Sequence, residues 1–391
     1  MVLSASLGFP RIGVNRELKK ACESFWKGAT SAEDLLKAAK DLRARHWTLQ
    51  KDARISHIPS NDFSFYDQTL DMACLLGCVP ARYGWTGGPV DLPTYFAMAR
   101  GNAKTPAMEM TKWFDTNYHY IVPEFEQGQT FKLSGTKIFD EYAEAKAAGI
   151  ETRPVLIGPV TFVHLGKAKY ENFEARPILD ALVPVYVEIL KKLAAQGAQW
   201  VQIDEPALAM DICEGAQKSF ARIYEALAKA APSLKICLTT YFDGLRDHLD
   251  VAAALPVAAL HVDLRRAPDQ LDAVLAKLPA DKTLSLGVVD GRNIWKNDLS
   301  ASLAILEKAA AKIGKDRVIV APSCSLLHTP VDLDMEDALD PQIKGWMAFA
   351  RQKLVEIALL AKGLEQGHAA IAGDLAASDA ACLLYTSDAA D

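Results

Sequence analysis

The stretch Pro177–Glu205, PILDALVPVYVEILKKLAAQGAQWVQIDE, joins a helix pattern directly to a strand pattern. Apolar residues recur with the 3.6-residue period of an amphipathic helix as far as Gly197. A short apolar run follows from Trp200, and it ends in two acidic residues and Pro206. A helix that leads into a buried strand is the repeating unit of a parallel α/β sheet.

The same alternation extends along most of the chain. Short runs rich in apolar and β-branched residues predict eight strands, located near Ser6, near Asp62, and from Arg153, Trp200, Lys235, Ala259, Thr283 and Arg317. Eight strands that alternate with helices predict an α/β fold of the (β/α)₈ TIM-barrel type. A doubly wound open sheet is the alternative.

Chemistry-capable residues cluster where the predicted strands end, in the sequences FPR, IGPVT, IDEP, TTYFDG, HVDLRR, VVDGRN and PSCSLLH. In barrels of this type the active site lies at the carboxyl ends of the strands. We therefore expect a functional site at this face, with Leu7–Lys20, LGFPRIGVNRELKK, as its first strand-to-helix loop.

The chain is longer than a minimal barrel, which needs about 250 residues. The surplus is assigned to an N-terminal helical segment, from Glu17 to about Asp52, and to a long excursion after the second strand, from Cys78 to Gln127. No linker composition precedes residue 360, so one domain over residues 1–375 is predicted.

Composition excludes several classes of protein. A net charge of −6 without a long basic run argues against a nucleic-acid-binding protein. No apolar run is long enough to span a membrane, and the N-terminus does not resemble a signal peptide. Seven scattered cysteines do not form a disulfide framework and favour a reducing, cytoplasmic location.

Four cations lie close together near the N-terminus of this acidic chain: Arg11, Arg16, Lys19 and Lys20. If Asn15 is the N-cap of the following helix, Arg16 and Lys19 lie in its first turn, where the helix dipole disfavours positive charge. The pattern indicates a site for an anion. The alternative is an ordinary solvated helix start.

Seven motifs in this order resemble one known family, the cobalamin-independent methionine synthases: LGFPRIGVNRELKKA, EMTKWFDTNYHY, IGPVTF, WVQIDEPAL, LTTYFDGL, LHVDL and APSCSLLH. The resemblance covers residues 3–375 and matches the N-terminal half of proteins about twice this long. It implies two barrels packed face to face, with the catalytic zinc in the C-terminal barrel. The implied reaction of methionine biosynthesis transfers a methyl group from 5-methyltetrahydropteroyltri-L-glutamate to L-homocysteine.

The resemblance also implies which residues bind the folate. The RELK motif of the family corresponds to Arg16, Glu17, Leu18 and Lys19, and the lysine of its MTKWF motif corresponds to Lys112. The chemistry agrees, because a triglutamate presents several carboxylates that arginine can bind bidentately and lysine as a point charge.

No metal site is expected in this half. The zinc barrel of the family uses a His-x-Cys pair, a glutamate and a second cysteine, whereas the matching strand ends here carry Thr239, Tyr241, Asp263 and Cys324. His261 is expected to be a hydrogen-bonded barrel residue rather than a ligand. We accordingly expect no catalytic residue and no cofactor in this chain, and no activity without the C-terminal catalytic barrel.

Other polar and aromatic residues have two interpretations. Asp204 and Glu205 end one strand, and a structural role in holding loop amides is favoured over a functional one. His119 and the aromatics between Trp113 and Tyr120 could stack against a pterin or could pack the excursion. Arg292 is expected in an ion pair at the barrel rim.

The C-terminal sequence Cys382–Asp391, CLLYTSDAAD, matches a translated sequencing adapter. Residues 376–391 are therefore predicted to be non-native or disordered, without a fixed conformation over residues 382–391, and the gene is expected to continue. Two alternative functions stay open: a stand-alone, non-catalytic folate-binding module, and an unrelated barrel enzyme such as a decarboxylase that uses the rim carboxylates.

Overall fold

The computed structural model describes residues 2–212 and 214–388. Its strands are β1 (Leu3–Ser4), β2 (Ile58–Ser60), β3 (Met110–Lys112), β4 (His119–Ile121), β5 (Glu124–Phe125), β6 (Thr152–Ile157), β7 (Lys167–Ala168), β8 (Trp200–Asp204), β9 (Lys235–Thr239), β10 (Ala259–Asp263), β11 (Thr283–Val289) and β12 (Val318–Pro322).

The helices alternate with these strands. They are α1 (Glu17–Trp26), α2 (Ala32–Asp52), α3 (Gln68–Leu75), α4 (Leu92–Arg100), α5 (Lys137–Ala147), α6 (Pro159–Leu165), α7 (Ala175–Ala195), α8 (Glu214–Ala230), α9 (Leu249–Ala254), α10 (Gln270–Lys277), α11 (Leu299–Ile313), α12 (Pro341–Gly345), α13 (Ala350–Gln366) and α14 (Ala372–Asp388). None of the described helices is both long enough and apolar enough to cross a membrane.

Eight strands form one sheet in the order β1-β12-β11-β10-β9-β8-β6-β2, which confirms the predicted α/β fold with eight parallel strands. The two strands at the ends of this order also meet. Ala5 and His57 form a parallel bridge, and the Ser6 N–H donates to the His57 carbonyl at 3.0 Å. A barrel has this contact, whereas a doubly wound open sheet leaves its end strands apart.

The chain divides into two compact units, Met1–Pro59 with His261–Asp391, and Ser60–Leu260. In the first unit, β12 pairs in parallel with both β1 and β11. Helix α13 buries Leu354, Ile357 and Leu360. Helix α2 begins with a capping box, because the Ser31 hydroxyl accepts the Asp34 N–H while the Asp34 carboxylate accepts the Ser31 N–H.

In the second unit, β8 pairs in parallel with β6 and β9. Helix α7, which the opening stretch of sequence predicts, buries one apolar face that includes Leu179, Leu182, Tyr186, Ile189 and Leu193. The predicted excursion contains α4, the antiparallel pair β3–β4, and β5, which pairs with β7.

Three sequence predictions differ locally from the structure. The first two strands lie a few residues earlier than predicted: β1 ends at Ser4 and is followed by the single bridge at Ala5, and β2 ends at Ser60. The apolar run from Arg153 ends as a strand at Ile157, and Pro159 begins helix α6, where its missing N–H costs no intrahelical bond.

The C-terminal segment is also different from its prediction. Residues 376–388 belong to helix α14, so the predictions of a disordered tail and of no fixed conformation are wrong as far as Asp388; residues 389–391 lie outside the described residues. Leu375, Ser378 and Ala381 are buried at a spacing of three residues, a pattern that the sequence reading missed. The adapter origin of residues 382–391 stays a prediction, as does the boundary of one domain at residue 375.

Candidate functional site

The loop after β1 reaches helix α1 through a left-handed residue. Arg16 occupies the N-cap position with φ 58° and makes no side-chain cap, so the prediction of Asn15 as N-cap is wrong. Instead, the Asn15 N–H donates to Oε2 of Glu17 at 2.9 Å. The carboxylate of the first helical residue thus closes the turn that precedes α1.

Glu17 holds this loop through both oxygens of its carboxylate. Its Oε1 accepts a hydrogen bond from Arg45 of α2 at 2.7 Å. A Cβ on Gly13 would lie 2.2 Å from Oε2, so the loop needs glycine there, also because its φ is +80°. Burial opposes ionisation of Glu17, but hydrogen bonds from the backbone and from Arg45 outweigh burial and lower its pKa.

The four residues of the RELK motif therefore have different environments. Leu18 is 1% exposed and anchors α1 in the core, and Glu17 is engaged by Arg45. Lys19 is half exposed and lies 3.7 Å from Glu23. Arg16 is exposed, and within residues 2–212 and 214–388 its guanidinium makes no ion pair. Arg16 and Lys19 are the members that present charge to solvent.

Lys112 lies in the second unit, at the end of β3, and is exposed. The next residue, Trp113, is 1% exposed and contacts Phe114 and Tyr120 edge to face, with centroids 5.0 and 5.7 Å away. This favours packing over pterin stacking for Trp113 and Tyr120. His119 is exposed, and its Nδ1 lies 3.0 Å from the Asn117 carbonyl.

Glu205 has the structural role that the sequence favours. Its Oε2 accepts the Thr161 N–H at 2.7 Å, and its Oε1 accepts the Val160 N–H and the Tyr224 hydroxyl. The carboxylate thus caps the N-terminus of α6. Complete burial raises the pKa of Glu205 to about 7, although these hydrogen bonds oppose the rise.

Asp204 takes part in a different buried network. Its Oδ1 accepts the Gln202 amide at 2.8 Å, and its Oδ2 accepts the Tyr241 hydroxyl at 3.1 Å. Arg153 donates to the Gln202 amide oxygen at 2.7 Å. Burial raises the pKa of Asp204 to about 7. Sequence reasoning missed Arg153 and Gln202, although polar residues in otherwise apolar strands were the available signal.

His261 is hydrogen-bonded, as the sequence predicts. Its Nδ1 lies 2.9 Å from the Ser285 hydroxyl and its Nε2 lies 3.3 Å from the Ser323 carbonyl. The backbone N–H of Arg292 donates to Asp290 at 2.7 Å, and the predicted ion pair of the Arg292 side chain stays a prediction.

The four residues at the positions of the family's zinc ligands do not suit zinc. In the second unit, Tyr241 donates its hydroxyl to Asp204, and Thr239 offers only a hydroxyl. In the first unit, Asp263 accepts two backbone N–H groups, and burial keeps the pKa of the Cys324 thiol well above its usual value, against the thiolate that zinc binds. Within residues 2–212 and 214–388, no group of three or more His, Cys, Asp and Glu side chains is arranged to hold a metal ion.

Comparison with protein families shows one match. Residues 3–314 match the family described as "Cobalamin-independent synthase, N-terminal domain". Relatives named 5-methyltetrahydropteroyltriglutamate–homocysteine methyltransferase include those of Caulobacter vibrioides and Nitrobacter winogradskyi, each 53% identical over 96% of this chain. The chain spans about half the length of these relatives, 51% of each.

Solved structures agree on the fold. A putative B12-independent methionine synthase from Listeria monocytogenes matches 93% of this chain and 99% of its own, with a TM-score of 0.62 at 15% identity. A B12-independent methionine synthase from Shewanella matches 95% of this chain with a TM-score of 0.63 at 13% identity. This chain belongs to the cobalamin-independent methionine synthase family, and its residues 3–314 match the N-terminal domain of that family.

Proposed function

We propose that this chain binds the polyglutamate tail of 5-methyltetrahydropteroyltri-L-glutamate as the N-terminal half of a methyltransferase. The complete enzyme would move the N5 methyl group of the folate to the sulfur of L-homocysteine. The names of the relatives support the substrates, and their length supports a second, C-terminal half.

One observation carries the role of the first unit. Arg16 stands exposed at the N-cap of α1, while its neighbour Glu17 is neutralised by Arg45 rather than by Arg16. Glu17 therefore does not compete with a carboxylate of the substrate for the Arg16 guanidinium. The N-terminus of α1 adds its dipole to the attraction.

Lys19 and Lys112 extend this recognition in the proposal. Lys19 has only a long contact, 3.7 Å, to the exposed Glu23, so it can exchange that partner for a substrate carboxylate at little cost. Lys112 projects from an exposed strand. Glu17 and Leu18 support Arg16 and Lys19, the first by fixing the loop and the second by anchoring the helix.

This chain itself supplies no catalytic group and no cofactor in the proposal. Zinc is assigned to the C-terminal half, where it would lower the pKa of the homocysteine thiol. We expect the isolated chain to show no methyl transfer, because the residues at the matching positions do not suit the metal.

The test uses a two-half chimera, in which this chain replaces the N-terminal half of the Caulobacter vibrioides relative. We expect Arg16→Ala and Lys112→Ala each to weaken binding of the triglutamate folate by about 1.5- to 5-fold, the range for exposed ion pairs. The affinity for the monoglutamate folate should stay almost unchanged. Higher salt should reduce the preference for the triglutamate.

Two matched controls are exposed lysines outside the proposed site, Lys37 of α2 and Lys218 of α8, each already in an i,i+4 ion pair. Lys37→Ala and Lys218→Ala should alter neither affinity. An equal loss of mono- and triglutamate binding in the Arg16 and Lys112 variants would show that these cations do not read the tail.

A further inference from the structure

The strand that carries Lys112 is poorly supported by its own hairpin. β3 and β4 have three residues each, and they pair from Met110↔Ile121 to Lys112↔His119. All three residues of β3 are exposed. A two-stranded hairpin is marginally stable in water by itself, so the position of Lys112 depends on what holds β4 and on what holds the hairpin tip.

The tip, residues 113–118, is closed on itself. The Trp113 N–H donates to the Tyr118 carbonyl at 2.7 Å, and the Thr116 hydroxyl donates to the Trp113 carbonyl at 2.6 Å. Trp113 packs against Phe114 and Tyr120. These contacts lie within the hairpin. The hairpin itself is fixed through β4, because the Tyr120 hydroxyl donates to the Leu165 carbonyl at 3.0 Å and the Ile121 N–H donates to Oδ2 of Asp67 at 3.0 Å.

Phe114 connects the tip to the strand ends of the sheet. Its ring lies 5.6 Å from that of Phe242, in the loop after β9. Phe242 in turn lies 4.6 Å from Tyr241, whose hydroxyl donates to Asp204 at the end of β8. A continuous series of contacts thus runs from a buried carboxyl to the residue two positions after Lys112.

The two phenylalanines that form this contact share an uncommon backbone conformation. Phe114 has φ 52° and Phe242 has φ 79°. Bulky residues rarely adopt positive φ, and such residues persist where the surrounding structure over-determines them, often at functional sites. Both residues of this ring contact have left-handed backbone. We infer that the surrounding structure holds the backbone in this conformation to keep the Phe114 and Phe242 rings in contact.

We propose that Phe242 is a positioning residue for Lys112. Its ring, held by Tyr241, fixes Phe114 and therefore the tip of the hairpin beside Lys112, so that the Lys112 ammonium is positioned for a carboxylate. The effect of Phe242 on folate binding rests on the proposed function. Its effect on the position of the hairpin tip does not.

The geometric part is tested by hydrogen exchange of the peptide that covers residues 108–122. Phe242→Leu and Phe114→Leu should raise the exchange rate of the tip amides in this peptide by about 2- to 10-fold, because the tip loses its aromatic pair. Phe114→Tyr keeps the ring, and the half-buried position lets the added hydroxyl reach water, so exchange should stay near the original rate. Phe220→Leu removes a buried ring that stacks on Tyr224 in the same unit and controls for general destabilisation.

The functional part is tested by a double-mutant cycle in the two-half chimera. Phe242→Leu should lower the triglutamate preference as Lys112→Ala does, by about 1.5- to 5-fold, and the double variant should be no worse than Lys112→Ala alone. Additive losses would overturn the positioning role.

The two proposals fail separately. If Lys112→Ala leaves the preference unchanged, the proposed role of Lys112 in folate binding is wrong, whatever Phe242 does. If hairpin exchange in Phe242→Leu equals that in Phe220→Leu, Phe242 does not position the hairpin, whatever Lys112 binds.

Discussion

Arg45 of α2 donates to Oε1 of Glu17 at 2.7 Å, while Oε2 of the same carboxylate accepts the Asn15 N–H at 2.9 Å. One side chain therefore joins two helices and the loop between β1 and α1. Because Glu17 pairs with Arg45, it does not pair with Arg16, the residue before it in the sequence. Glu17, the acidic residue of the RELK motif, thus has a structural role, whereas Arg16 and Lys19 present positive charge to solvent.

We expect Arg45→Met to lower the free energy of unfolding by about 0.2–1 kcal/mol, the range for partly exposed ion pairs. The Glu17 pKa is lowered in the folded state, so its contribution is complete above the unfolded pKa and is lost as the pH falls through the folded pKa. In urea denaturation, the difference in stability between the parent chain and Arg45→Met should therefore be smaller at pH 3 than at pH 7.

A loss of stability as large at pH 3 as at pH 7 would mean that Arg45→Met acts through the packing of the aliphatic part of Arg45. Lys40→Met, at an exposed position of the same helix, is the matched control and should leave unfolding unchanged at both pH values.

The buried carboxyls at the end of β8 predict that stability falls as pH rises. Burial raises the pKa of Asp204 and of Glu205 to about 7, so between pH 4 and pH 7 the folded state holds more protons than the unfolded state. The melting temperature should decrease through this window by an amount on the order of several degrees.

Asp204→Asn should make that decrease shallower, because asparagine resembles the protonated acid and cannot ionise. Thermal melts from pH 4 to pH 8 would measure it, with the exposed Asp374→Asn as control. An identical pH profile for Asp204→Asn and the parent chain would show that Asp204 does not titrate in this range.

The sequence predicted the fold well because hydrophobic periodicity reports on strands and helices buried over many residues. Six of the eight sheet strands lie where it predicts them, and the predicted N-terminal helical segment is present as two helices, α1 and α2. The first two strands were displaced because they are short, and their ends depend on hydrogen bonds between Ser6 and His57, which are far apart in sequence. Helix α14 was missed because Ser378, a polar residue, lies on its buried face.

The site was predictable only in part. Residue type and spacing indicated the cations, but not that Arg16 has left-handed backbone or that Glu17 pairs with Arg45 of another helix. The contact between Phe114 and Phe242 joins residues more than a hundred positions apart. No periodicity within either segment encodes such a contact, since it follows from the order of strands in the sheet.

Metal analysis offers a direct test of the expected absence of zinc. The purified chain should contain far less than one zinc per molecule, since Tyr241 is committed to Asp204 and burial disfavours the Cys324 thiolate. One tightly held zinc per chain that disappears in Cys324→Ser would contradict this. The buried Cys237→Ser is the matched control for loss of a thiol.

Helix α14 provides the last prediction, because its two halves differ in what they contact. Ser378 is buried, accepts the Leu299 N–H at 3.1 Å and donates to the Asn297 carbonyl at 2.9 Å. Ser378→Ala leaves both backbone groups without this partner, at a cost of about 1–3 kcal/mol, which the better helix propensity of alanine offsets by about 0.5 kcal/mol.

Leu383 and Leu384, in contrast, are 73% and 51% exposed. Removal of residues 382–391 should therefore leave the urea midpoint unchanged, whereas Ser378→Ala should lower it and the adjacent, exposed Asp379→Ala should not. If the truncation lowered the midpoint as much as Ser378→Ala, residues 382–391 would be a stabilising part of the fold, and their interpretation as a translated adapter would lose its support.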